Sequence, residues 1–299
     1  MSGKRRPILT VLVILGAIVL FLGMVLTFVF SISGPSPSFS FRDRIGVIPI
    51  EGTITDSQPI VSQLVNFKKD NRIKAIILRV NSPGGGVAPS QEIYREVRKT
   101  ITAKKVIASM GSLAASGGYY IASAADRIVA NPGTLTGSIG VIMEFVQLEA
   151  LLKKIGVGME VLKSGEFKDI GSPHRKMTER EKELIRSLIL DIQKQFVDAV
   201  AMGRHISVEE VQEIADGRIL SGAQSKELGL VDQLGNFEDA VELAKRMAGI
   251  EGEVKLVYPK KTRVNLWDLI LHDASKAFYK ALRNILHPRV EYRWDGPSY

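Results

Sequence analysis

A serine set among small residues, directly before two glycines, is a candidate nucleophile. The segment Met110-Gly111-Ser112-Leu113-Ala114-Ala115-Ser116-Gly117-Gly118-Tyr119-Tyr120 holds such a serine at what reads as the start of an apolar helix. A hydroxyl at that point can be exposed with backbone N–H groups converging beside it, which acyl transfer requires. Upstream, Asn81-Ser82-Pro83-Gly84-Gly85-Gly86 is a turn rich enough in glycine to bring a second backbone N–H to the same place. Taken alone, Ala-Ala-Ser-Gly-Gly also suits a small residue at a tight helix–strand contact. A serine nucleophile needs a base, and Lys163, Lys168 and Lys176 lie downstream in a polar stretch. Spacing alone does not choose among them. A lysine removes a proton only when neutral, and burial in an apolar pocket lowers its pKa of about 10.4 by up to about 3–5 units. Histidine is the rival base. His272 and His287 sit far from these motifs, His205 follows a helix end, and His174 in Ser172-Pro173-His174-Arg175 is the one serious competitor.

The elements that must position these residues alternate. Arg44 to Ile50, Ile73 to Val80, Lys105 to Ser109, Arg127 to Ala130 and Met159 to Leu162 read as strands. Helical patterns run from Ser90 to Ile101, Ala115 to Ala124 and Val146 to Ile155. Such alternation predicts an α/β domain with a largely parallel sheet. The C-terminal part is more helical. Thr178-Glu179-Arg180-Glu181 is a capping box opening a helix to about Gly203, with Leu184, Leu188, Ile192, Phe196 and Val200 on one stripe. Ser207 caps a further helix to Ala215. A short strand spans Arg218 to Gly222, a helical turn leads to Leu228, a helix runs from Asn236 to Met247, and a last strand from Val254 to Tyr258.

The N-terminal end of the chain points to a membrane. Ile8 to Phe30 is an uncharged apolar run of 23 residues, and about 20 residues of helix cross a bilayer core. Lys4, Arg5 and Arg6 precede it, so the N-terminus belongs in the cytoplasm and the rest of the chain outside. The run is longer than a signal-peptide core and lacks an Ala-x-Ala-like site, which favours an uncleaved anchor. Leu266 to Leu286 is a basic amphipathic segment, suited equally to a membrane surface, a partner or its own domain. The expected organisation is 1–30 anchor, 31–42 linker, 43–260 catalytic domain and 261–299 amphipathic helix with tail. The 299-residue chain is 45% hydrophobic with a net charge of +8 and no cysteine. Thiolate catalysis and disulfides are thereby excluded. The positive charge shows no aromatic-interleaved stripe, so anionic lipid rather than nucleic acid is the expected partner.

Four segments in order make the chain resemble the signal peptide peptidase A family in its short form: Asn81-Ser82-Pro83-Gly84-Gly85-Gly86, Ala114 to Tyr120, Leu135-Thr136-Gly137-Ser138-Ile139-Gly140, and Ser164-Gly165-Glu166-Phe167-Lys168-Asp169. The resemblance implies a fold similar to the Clp protease subunit and the crotonases, built from ββα units. It implies a Ser–Lys endopeptidase that forms ring- or dome-shaped homo-oligomers at the outer face of the cytoplasmic membrane and degrades remnant signal peptides. It further implies Ser116 as nucleophile, Lys168 as base, Ser138 as the hydroxyl orienting the lysine (with Thr136 close by), and the Gly85 and Gly117 amides as oxyanion donors. Neither metal nor cofactor is required. Val161, Leu162, Phe167 and Ile170 flank Lys168 and are the expected apolar pocket, whereas Asp169 must point away, since a carboxylate would hold the amine protonated. Tyr119, Tyr120, Ile142, Met143 and Phe145 are candidates for an apolar groove taking small or apolar side chains. The alternatives are a Ser–Lys peptidase of one membrane-protein tail, a non-catalytic membrane scaffold, or an acyl-CoA-binding crotonase relative.

Overall fold

The computed structural model describes residues 6–33, 43–259, 290–294 and 296. Two compact units separate at Arg42 and Asp43. The first carries α1 (Arg6–Ser33), a continuous helix whose Val11–Phe28 stretch is uncharged and exposed. The second contains, in chain order, β1 (Arg44–Glu51), α2 (Gln58–Lys69), β2 (Ile73–Ser82), β3 (Gly84–Gly86), α3 (Val87–Ile101), β4 (Lys105–Ala115), α4 (Gly117–Ala122) and β5 (Arg127–Ala130). Then come β6 (Leu135–Gly137), β7 (Ile142–Met143), α5 (Glu149–Lys154), a single 3₁₀ turn (Glu166–Asp169), α6 (Glu179–Arg204), α7 (Val208–Ile214) and β8 (Ile219–Ser221). The remainder is α8 (Gly222–Glu227), β9 (Gln233–Leu234), α9 (Phe237–Ala248), β10 (Lys255–Val257) and β11 (Val290–Arg293).

The main sheet has the order β10-β1-β2-β4-β5-β9, and every pair along that path is parallel. Strands buried on both faces explain its near-continuous apolar runs. The two-residue period divides β2 between two cores. Ile76, Leu78 and Val80 pack with α2, α3, α4 and α6, while Ala75 and Ile77 pack with Ala240, Val241 and Ala244 of α9. A second sheet, β3-β11-β7, is antiparallel.

The α/β expectation holds, and several element boundaries move. Strand β4 does not stop at Ser109. Its register against β2 shifts between Val80 and Ser82, and β6 replaces β5 as its outer neighbour, pairing Leu113 to Ala115 with Leu135 to Gly137. The strand therefore runs straight to Ser116. Met159–Leu162 is not a strand; its side chains are exposed and no neighbouring strand pairs with it among the described residues. Helix α2 was not expected, although Pro59 near its start fits the first turn. The Gly84–Gly86 turn is itself a strand. The amphipathic segment Leu266 to Leu286 lies outside the described residues.

Helix α6 begins at the expected capping box, with both reciprocal bonds formed, and ends at His205 in the left-handed conformation. Its last turn passes close behind α4, so close that a Cβ on Gly203 would overlap the Ser123 carbonyl oxygen. Gly203→Ala gains helix propensity of up to about 1 kcal/mol, but a backbone collision outweighs it. A net loss of about 1–3 kcal/mol is expected, read as a lower Tm; an unchanged or higher Tm would remove this contact as the seat of α4.

Candidate active site

Strand β4 delivers Ser116 to a sharp turn into α4. Its backbone has φ 52° and ψ −117°, a region costly for a non-glycine residue, about 1–3 kcal/mol. The turn is held from both sides. Ser116 N–H donates to Gly137 O (2.9 Å), and Ser116 O accepts from Tyr120 N–H (2.8 Å). Thr136 Oγ1 donates to Ala114 O (2.6 Å), which pins β6 against β4 and occupies the hydroxyl that competed with Ser138. Ser116 is fully buried, and its Oγ has no hydrogen-bond partner among the described residues. A buried unpaired hydroxyl is uncommon and asks for an explanation.

Ser138 lies one residue past the Ala115–Gly137 pair, as Ser116 does on β4, so the register brings the two serines to neighbouring strand ends. Ser138 is buried, with φ 49°, and its N–H donates to Arg218 O (2.8 Å).

The glycine turn closes the other side. Ser82 Oγ accepts from Gly84 N–H (3.1 Å) and donates to Gly52 O (2.6 Å). Ile54 N–H donates to Gly84 O and Gly86 N–H to Ile54 O, both at 2.8 Å. Gly84 has φ 100° and Gly85 φ 156°. A Cβ on Gly84 would lie 2.6 Å from Gly117 N and overlap the Tyr292 carbonyl oxygen; one on Gly85 would overlap Ile54 backbone. Only glycine permits this approach. Ser116, Ser138, Gly85 and Gly117 thus converge.

Lys168 does not join them within one chain. It sits in the 3₁₀ turn, its N–H donating to Gly165 O (3.2 Å), with its side chain exposed and its amine without a hydrogen bond or ion pair among the described residues. The expected dry pocket is not formed there: Leu162 is 92% exposed and Val161 40%, while Phe167 is half-buried beneath the Arg180 guanidinium, 5.7 Å from its ring centroid. Asp169, however, turns to other partners. Its carboxylate accepts from Arg175 Nε (2.8 Å) and Nη2 (2.7 Å) and from Lys163 Nζ (2.6 Å), and Arg175 first, Lys163 second, hold it well below the usual carboxylate range. Arg175 also forks onto Glu181 (2.5 and 2.8 Å), whose other bond comes from Thr178 N–H (2.8 Å). A charged clamp therefore fastens the Lys168 turn to the start of α6.

His174 bonds Ser172 Oγ through Nδ1 (2.7 Å), not Ser116, and His205 serves as the α6 C-cap. Of the groove candidates, Ile142 and Met143 pair with β11, Tyr120 faces Tyr292, and Tyr119 is core, its hydroxyl on Leu230 O (3.0 Å). Sequence reasoning missed Ser82, Arg175 and Tyr292. A serine two residues before a glycine turn was a readable signal for Ser82; no local pattern marked the other two.

The sequence is similar to those of known proteins. The model for peptidase family S49 matches residues 98–251, and that for Clp protease matches residues 38–133. A Synechocystis sp. protein provisionally named a protease is 45% identical over 213 residues, 71% of this chain and 77% of the relative. A Methanocaldococcus jannaschii protein, also provisionally named a protease, is 36% identical over 231 residues, 77% of this chain and 74% of the relative. An Enterococcus faecium protein provisionally named signal peptide peptidase SppA is 40% identical over 209 residues, 69% of this chain and 60% of the relative.

The clamp makes a pH-dependent prediction. Arg175, aided by the Thr178 N–H, lowers the Glu181 carboxyl from an ordinary 4.5 to about 2. A carboxyl with a depressed pKa contributes stability that is complete above its ordinary value and lost as pH falls through the depressed one. Amide exchange across residues 163–181 is expected to stay slow down to pH 4.5 and to quicken as pH falls toward 2. Arg175→Ala is expected to quicken it already at pH 7. Equal exchange in the two proteins would mean that the clamp does not order this segment.

Proposed function

The chain belongs to peptidase family S49, and from that premise we propose that it is a membrane-anchored endopeptidase with Ser116 as nucleophile, Lys168 as base and Ser138 as the hydroxyl that orients the amine. It is a serine protease of Clp protease-like α/β fold acting on peptides. The observation that carries the assignment of Ser116 is its buried, unpartnered Oγ on a strained strand-to-helix turn beside two glycine amides.

In this reading neutral Lys168 takes the Ser116 proton as Oγ attacks the scissile carbonyl. The developing oxyanion meets the Gly85 and Gly117 N–H groups, already in position, and one such donor is worth about 2.7–4 kcal/mol of barrier. The ammonium of Lys168 returns the proton to the leaving amine. The lysine then activates water to release the acyl group from Ser116. Asp169 does not hold the lysine charged, because Arg175 and Lys163 neutralise it.

The base comes from a neighbouring copy. Lys168 and the apolar residues Leu151, Ile155, Met159 and Leu162 are all exposed within one short segment of the chain, and apolar side chains open to water that gather into one patch favour an interface. Packing against another subunit supplies the dry surroundings that a neutral lysine needs and the partner that Ser116 Oγ lacks. A head-to-tail contact of this kind forms a ring when its rotation closes, and a closed homo-oligomer is the assembly in this reading. Helix α1 is long and apolar enough to anchor each subunit, its basic flank on the cytoplasmic side. Residues 43–260 are then the extracytoplasmic peptidase domain, with 31–42 as its tether. Remnant signal peptides, apolar and left in the same membrane, are the substrates this placement suits.

Ser116→Ala and Lys168→Ala are each expected to lower kcat by roughly 10⁴–10⁶-fold. Co-assembled from a mixture, the two inactive proteins are expected to regain part of the activity, because mixed neighbours rebuild complete sites. A mixture as inactive as its components would contradict a site shared between subunits.

A further inference from the structure

A glycine amide is an oxyanion donor only while its N–H is aimed at the reacting carbonyl, and two adjacent glycines do not fix that aim. Turning over the peptide between Gly84 and Gly85 rotates ψ of the first and φ of the second, and glycine enters either setting without steric cost. A turned peptide presents a carbonyl oxygen where the oxyanion needs a donor. The contact that chooses between the two settings lies outside the glycine motif, in the loop between β1 and α2.

Ile54 in that loop forms a one-residue parallel bridge with Gly85. Its N–H donates to Gly84 O and its carbonyl accepts from Gly86 N–H, both at 2.8 Å. The N–H and C=O of a trans peptide point in opposite directions. With Gly84 O drawn to Ile54, the Gly85 N–H is therefore sent to the opposite edge of β3. The second bond fixes the next peptide, so one residue sets both planes that flank the Gly85 Cα. Turning the first plane over would face the Gly85 N–H with the Ile54 N–H, donor against donor, and leave a buried group unpaired.

Ile54 can hold the turn because it is itself held. Its side chain is buried in the core. Two residues before it, Gly52 N–H donates to Asn81 O (3.0 Å) and Gly52 O accepts from Ser82 Oγ (2.6 Å). Three residues after it, Ser57 Oγ donates to the Glu92 carboxylate of α3. Ser82 Oγ in turn accepts from Gly84 N–H (3.1 Å), so loop and glycine turn are tied at both ends.

Resting on the reading of Gly85 as an oxyanion donor, we infer that Ile54 is a positioning residue for the peptidase reaction. Its main-chain N–H, acting through Gly84 O, aims the Gly85 N–H, and Ser82 steadies the same turn through Gly84 N–H. The role belongs to the main chain of Ile54, which makes it separable from the packing of its side chain.

The test compares Ile54→Pro, Ile54→Ala and Ser82→Ala with the unaltered full-length protein in detergent, by kcat and KM on one quenched peptide and by Tm. Proline lacks the N–H, whereas alanine keeps it and loses more of the apolar side chain. Ile54→Pro is expected to lower kcat about 100-fold, as loss of an oxyanion donor does, with KM within about 3-fold. Ile54→Ala is expected to retain at least about tenfold more kcat than Ile54→Pro, whatever its Tm. Ser82→Ala is expected to lower kcat about tenfold with little change in KM, and it decides the matter if the proline protein does not fold. Equal kcat in the proline and alanine proteins would assign the effect to packing and overturn the inference. So would an undiminished kcat, or a rise in KM alone, in folded Ile54→Pro or in Ser82→Ala. In each of those outcomes the peptidase reading stands, provided Ser116→Ala abolishes cleavage. Cleavage that survives Ser116→Ala, or no cleavage by the unaltered protein, would overturn that reading and this inference with it.

Discussion

A serine hydroxyl held out of water with nothing to bond is the constraint around which this protein is arranged. Ser116 occupies a backbone conformation that only a well-braced turn can sustain, and the bracing explains the surrounding residues. Gly137 O and Tyr120 N–H fix the turn itself. Thr136 locks β6 onto β4. Ser82, Ile54 and the two left-handed glycines carry the opposite wall to within reach of Gly117. Behind the turn, α4 rests on the last turns of α6, where Gly203 gives up a side chain for a close approach. Each contact costs or stabilises only a little. Together they hold this backbone in place before any substrate arrives, and in the proposed mechanism, where the Gly85 and Gly117 amides receive the oxyanion, that preorganisation is where most of the rate advantage originates.

The proposed acid–base half of the site follows a different logic. A lysine that must lose its proton benefits from dry surroundings, whereas Lys168 in one chain faces water. The Arg175 bridge reconciles the two states. By joining Asp169 to Glu181 it keeps the adjacent carboxylate away from the amine and ties the turn to α6, yet it leaves Lys168 itself uncommitted. In the function proposed above, that arrangement lets activity appear only on assembly.

Local chemistry was legible in the sequence, and long-range partnership was not. Ser116 and the Gly84–Gly86 turn stood out because small residues are concentrated in those short segments, although the contacts that demand the glycines come from Ile54, Gly117 and Tyr292, far off in the chain. The start of α6 was equally readable, because a capping box is a contact between residues three apart. Strand β4 was cut short at Ser109 because Gly111, Ser112 and two alanines carry little strand preference; β6 sustains the strand there, and that pairing joins residues far apart in the chain. Met159–Leu162 has strand composition, but no strand pairs with it. Tyr292 was read as part of a tail, because the pocket that buries it is assembled from α3, α4 and α6.

The central claim is that the amine of Lys168 governs the reactivity of the Ser116 hydroxyl. It is tested most directly by the rate at which a fluorophosphonate labels Ser116 in the assembled full-length protein as pH is raised. The account predicts a rate that climbs through a single ionisation below the value of about 10.4 for a free lysine, and a Lys168→Ala protein in which that ionisation is gone and labelling is slow at neutral pH. The same pH profile in both proteins would contradict it.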